Sequence, residues 1–149
     1  MSYINGTRDH NLELLKESGF KRYKNTTVFH SADISLLSPA VSNSRGSYWI
    51  DIRLVNLERQ QAKSFLLIRV VPNLFVLEPL KTLNDVVPEH LVKTKKNSGK
   101  VWELEVDINH NTMAARVFNK REPENGFESK VLTIEEVTQK LKGLVKHSV

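Results

Sequence analysis

Cysteine is absent from the 149 residues. That absence excludes a disulfide framework, a thiol nucleophile and the Cys-rich structural zinc sites, and it fits a reducing compartment. Long apolar runs are missing too. The longest, SFLLIRVVPNLFVL, is interrupted by Arg69, Pro72 and Asn73 and is too short for a spanning helix. The opening MSYINGTRDH holds no apolar core, so no secretory signal is read. No GxSxG-like nucleophile turn occurs. NSGK lacks both the remaining Walker glycine and a Ser/Thr after Lys100, so there is no Gly-rich phosphate loop. His10, His30, His90, His110 and His147 show no metal-ligand spacing, and scattered surface use is the default for them. There is no internal repeat, low-complexity tract or linker, and residues 1–149 are read as one domain.

What is present is an ordinary globular balance, 40% hydrophobic and 26% charged, with a net charge of +5 and a pI near 9.5. A basic balance favours phosphate contact through counterion release, although it is also common in proteins that bind no nucleic acid. The chain is well punctuated at both ends. Asp9 is placed to cap a helix whose Leu12 and Leu15 share a face, Gly19 is its αL stop, and Phe20 is placed to pack back on the last turn. TIEEVTQKLKGLVKH reads as the closing helix: Thr133 and Glu136 form a capping box, Ile134, Val137, Leu141 and Leu144 form an apolar stripe, and the C-terminal end is basic.

Between them lie β segments. TTVF and ADISLLS read as short strands, and PAVSNSRG as a turn. SYWIDIRLV alternates clearly, with Trp49, Asp51 and Arg53 on one face and Tyr48, Ile50, Ile52 and Leu54 on the other. NLERQQAKS is expected to make about two helical turns. FLLIRVV reads as a strand buried on both faces, followed by LFVLEPL. KTLNDVVPEHLVKT looks like a short helix broken before Pro88. VWELEVDI and NTMAARVFN read as a hairpin, and KREPENGFES as a loop. Trp49 and Trp102 are most simply core aromatics, though Trp49 shares its face with Asp51. Arg69, inside a buried strand, needs a partner, with Asp51, Glu58 or Glu78 as candidates.

The order helix, strand, strand, turn, strand, short helix, strand, with an acid in SADIS and an acid-x-cation in YWIDIRL, resembles the PD-(D/E)xK nuclease superfamily of restriction endonucleases and Holliday-junction resolvases. ELLKESGF is similar to that family's opening helix. The resemblance covers residues 9–83, leaving 84–149 as an added hairpin and helix. It implies an α/β fold with a mixed central β-sheet flanked by helices on a restriction-endonuclease-like core. It also implies a Mg²⁺-dependent endonuclease acting on DNA, a homodimer or higher oligomer in order to cut both strands, and a cytoplasmic or nucleoid-associated location.

Carried over by residue, Asp33 and Asp51 would be metal ligands, Arg53 the cationic partner, and Glu17, ahead of Glu13, the helix acid. Two oxygen ligands on adjacent strands suit Mg²⁺, which polarises the scissile phosphate and acidifies a bound water. This sequence departs from the pattern at Ala32, where the family often has proline, and at Arg53, where it has lysine; arginine cannot act as a base. Other readings of the same residues stay open. Asp33 beside a turn suits local backbone bonding, and Asp51 with Arg53 suits a surface or cross-strand ion pair. The basic clusters Lys21, Arg22 and Lys24, interleaved with Tyr23, and Lys93, Lys95, Lys96 and Lys100 can each track a phosphate backbone or lie solvated in loops. A non-catalytic domain that binds nucleic acid or another protein is therefore the alternative.

Overall fold

The computed structural model describes residues 11–24, 26–44, 47–70, 73–97 and 99–147. Its first element, helix α1 (residues 11–17), stops as expected: Gly19 adopts φ +94°. The Gly19 N–H bonds the Lys16 carbonyl at 3.2 Å and the Phe20 N–H bonds that of Leu15 at 2.8 Å. Paired with the burial of Leu15 and Phe20 in one apolar cluster, these bonds form a Schellman stop. The proposed cap, Asp9, lies outside the described residues.

The strands form two sheets, where a single central sheet was expected. The first contains β1 (Lys21–Arg22), β2 (Val28–Ser31), β3 (Ile34–Leu37), β6 (Lys63–Val70) and β7 (Leu74–Pro79), in the order β1-β2-β3-β6-β7. It is mixed, because β3 pairs β6 in parallel and the other neighbours are antiparallel. The second contains β4 (Ser42–Ser44), β5 (Ser47–Arg53), β9 (Gly99–Asn109), β10 (Ala114–Asn119) and β11 (Glu122–Lys130), in the order β11-β10-β9-β5-β4, with β8 (Lys93–Lys95) paired to β9. All its pairings are antiparallel.

Strand alternation sets the layers. In the first sheet, Val28, Leu37, Leu66, Ile68 and Val76 face the second sheet, where Ile50, Ile52, Trp102, Leu104, Val106 and Val117 meet them. Phe29, Ile34, Leu36, Leu67 and Phe75 face the other way, against Leu14 and Leu15 of α1 and Val137 and Leu141 of α3 (Ile134–His147). The result is helices on sheet on sheet. The apolar stripe of α3 packs on its own first sheet: Val137 and Leu141 are fully buried. Its capping box is present, with Glu136 N–H to Thr133 Oγ1 at 3.2 Å and Thr133 N–H to Glu136 Oε1 at 3.1 Å.

Three expected elements differ. The two-turn helix after β5 shrinks to one turn, α2 (Leu54–Leu57). KTLNDVVPEHLVKT, expected as a short helix broken before Pro88, forms 3₁₀ turns on either side of that proline, at Leu80–Asp85 and Glu89–Leu91. KREPENGFES, expected as a loop, supplies most of β11. Its Pro and Gly content disfavours a strand locally, but pairing with β10 prevails, and Gly126 is required there. A Cβ at that position would lie 2.7 Å from the Val117 carbonyl oxygen. The boundary placed at residue 83 does not separate structural units, since β5 and β9 are direct neighbours from Tyr48↔Val106 to Arg53↔Val101.

Candidate nucleic-acid interface

The two aspartates fall on different sheets. Asp33 is the second residue of the two-residue turn between β2 and β3, after Ala32 at φ +52°. Its carbonyl accepts the Lys63 N–H at 3.1 Å, and its carboxylate lies 3.7 Å from Lys63 Nζ. Asp51 lies on β5, on the face of the second sheet turned away from the core. Directly opposite it in the ladder is Glu103 of β9, not Asp33. The expectation of two acids on adjacent strands is corrected here: β3 is flanked by β2 and β6, and β5 by β4 and β9. Asp33 and Asp51 are thus not brought onto neighbouring strands, and exposed Asp51 stands on the face of its sheet opposite Ile50 and Ile52. Glu17 is exposed on α1, which packs on the far side of the first sheet.

Asp51 belongs instead to a charge cluster. Two acids directly opposite in a ladder repel, and lysine relieves this. Lys95 Nζ lies 3.0 Å from Asp51 Oδ2 and 3.2 Å from Glu103 Oε2, and Lys93 bonds the other Glu103 oxygen. The hydrogen bond from Lys93, joined by Lys95 and opposed by partial burial, holds the Glu103 carboxyl below its ordinary range. The Lys95 ammonium is held above its own range, chiefly by Asp51. Half-buried Arg53 follows on the same face, opposite Val101. Nearby, Lys120 Nζ sits 4.7 Å over the Trp49 ring, so of the two tryptophans Trp49 is on the outer face and Trp102 is in the core. Of the second basic cluster, Lys93 and Lys95 are neutralised, and Lys96 and Lys100 remain exposed.

Arg69 has Phe75 and Glu13 among its neighbours. It is 3% exposed, its guanidinium lies 4.8 Å from the Phe75 ring centroid, and burial lowers its pKa while Glu13 of α1 opposes that shift.

The first basic cluster keeps its charge. β1 is an edge strand, with Lys21 opposite His30 and Arg22 opposite Phe29. Thr26 stitches the following turn: its hydroxyl donates to the Tyr23 carbonyl at 2.6 Å and accepts the Val28 N–H at 3.1 Å. Arg22 Nε donates to the Thr26 carbonyl at 2.8 Å. The turn places Lys24, at φ +51°, with its Nζ 5.4 Å from the Tyr23 ring centroid. The Tyr23 and His30 rings approach to 5.1 Å, and His30 Nε2 lies 3.3 Å from the Arg59 carbonyl oxygen. Arg59 is itself anchored by Asn56 Oδ1 at 2.7 Å. Among the described residues, Lys21, Arg22, Lys24 and Arg59 make no ion pair with a carboxylate. From Phe20 to Ala32, and again from Arg59 to Leu77, the chain holds no acid.

The edge thus joins four cations and two rings from segments about thirty residues apart. Sequence reading singled out Lys21, Arg22, Tyr23 and Lys24 but not Arg59, whose only local signal was a helix-forming context. No family model matches the chain, and neither curated proteins nor solved structures give a match. Among the described residues, no helix is long and apolar enough to cross a membrane.

Proposed function

We propose that this mixed α/β domain binds nucleic acid without cutting it, through the β1–β2 edge. The observation that carries the reading is the contrast between the two basic clusters. Lys93 and Lys95 are tied to Asp51 and Glu103, while Lys21, Arg22, Lys24 and Arg59 stand around Tyr23 and His30 with no carboxylate partner among the described residues. Phosphate contacts supply sequence-independent affinity, and an aromatic ring beside a cation offers a surface for an unpaired base.

Binding of a labelled oligonucleotide, followed by anisotropy between 50 and 200 mM salt, tests this. Four phosphate contacts give a slope of log K against log salt of about −3, and Lys21→Ala with Lys24→Ala should reduce its magnitude by about 1.5. Lys93→Ala should leave it unchanged. An unaltered slope in the Lys21/Lys24 variant refutes the proposed edge. Plasmid incubated with Mg²⁺ or Mn²⁺ should stay intact. Cleavage lost in Asp51→Ala would instead support an endonuclease on a restriction-endonuclease-like core.

A further inference from the structure

On its helix-covered side, the first sheet is not fully roofed. A groove of about 380 Å³ remains between α3 and strands β3, β6 and β7. Ile34, Phe65, Leu77 and Leu144 supply most of its apolar surface, and Lys63 and Lys140, both exposed, supply its cations. The volume lies at the lower end of the range for small-ligand pockets, roughly 300–1,000 Å³, and the mainly apolar lining with a few polar groups is typical of them. The groove shares no residue with the β1–β2 edge.

Among the described residues, one of its two lysines is paired and the other is not. Asp33 lies 3.7 Å from Lys63 and offsets it in part. Glu78 contributes to the wall, but strand alternation with Leu77 turns its side chain to the other face of the sheet, where the carboxylate accepts the Ser129 hydroxyl of β11 at 2.8 Å. Lys140 makes no ion pair among the described residues. One turn further along α3 is Gly143, a residue disfavoured in a helix interior. A Cβ there would meet nothing within 4 Å, so contact with the sheet does not demand glycine. Its smallness leaves the groove open.

We propose that this groove binds a small amphipathic anion, its apolar body against Phe65, Leu77 and Leu144 and its carboxylate at Lys140. The test is displacement of the fluorescent probe 8-anilinonaphthalene-1-sulfonate from the full chain by hexanoate, octanoate and decanoate. Displacement should saturate, and affinity should rise by up to about fourfold per added CH₂. Decyltrimethylammonium, with the opposite charge, should bind at least tenfold more weakly. Lys140→Glu should weaken decanoate at least fivefold. Gly143→Phe, which fills the groove, should abolish binding with the far-ultraviolet spectrum retained.

No displacement by decanoate below its micellar limit overturns the proposal, as does equal affinity for the cationic amphiphile. Full binding by a folded Gly143→Phe protein also overturns it. So does a wild-type dimer that becomes monomeric on Gly143→Phe, because the groove would then hold a second copy. If Gly143→Phe does not fold, the Lys140→Glu variant and the chain-length series decide by the same criteria.

Discussion

Replacing Trp102 by phenylalanine probes the joint between the two sheets. Trp102 faces the inter-sheet core, is 5% exposed, and its Nε1 donates to the Pro88 carbonyl at 2.7 Å. That bond ties the 3₁₀ segment connecting β7 to β8 onto β9. Phenylalanine keeps the aromatic body but leaves the Pro88 carbonyl without this donor, a cost of about 1–3 kcal/mol. The lost ring contacts cost about 1 kcal/mol more at roughly 25 cal/mol per Å². The sum, about 2–4 kcal/mol, is a large share of a stability of about 5–15 kcal/mol. Urea unfolding followed by circular dichroism should show the midpoint falling by about 1–2 M with m unchanged. Trp49→Phe is the internal control. Trp49 is half-buried on the outer face, with Lys120 over its ring, and should cost less than about 1 kcal/mol. If Trp49→Phe costs as much as Trp102→Phe, the assignment of the two tryptophans to opposite faces of the second sheet is wrong.

Two further predictions concern charge and capping. Glu103 has its folded pKa below the unfolded value, so its stabilisation is complete above the unfolded carboxylate range, about 4.3, and is lost as pH falls through the lower folded value. Lys95 has its folded pKa raised, so its contribution is complete below the unfolded lysine value, about 10.4, and is lost as pH rises through the folded one. Comparison with Glu103→Gln across pH 2.5–7 should therefore show a gap, under about 1 kcal/mol for so exposed a network, that closes only on the acid side; a gap constant with pH refutes it. Thr133→Ala removes the N-cap hydroxyl of α3 and should cost about 1 kcal/mol in urea melts, whereas a neutral result would mean that this cap carries no stability.

Local chemistry decided several elements of this protein by itself. Gly19 followed by Phe20 ends α1, Thr133 with Glu136 starts α3, and the alternation in SYWIDIRL sends Ile50 and Ile52 inward and Asp51 outward. Each rests on residues within one turn or one strand, where capping geometry and the two-residue strand period act without help from the rest of the chain. Which strand lies beside which is a different matter, because strand period names a face and not a neighbour. Only the tertiary structure put β3 beside β6 and β5 beside β9, parting Asp33 from Asp51 and setting Asp51 against Glu103. Long-range pairing also made a strand of a Pro- and Gly-containing segment, neutralised Lys93 and Lys95, and brought Arg59 toward Tyr23 and His30. These outcomes depend on complementarity between residues distant along the chain, summed over whole ladders and a shared core, which no local window contains.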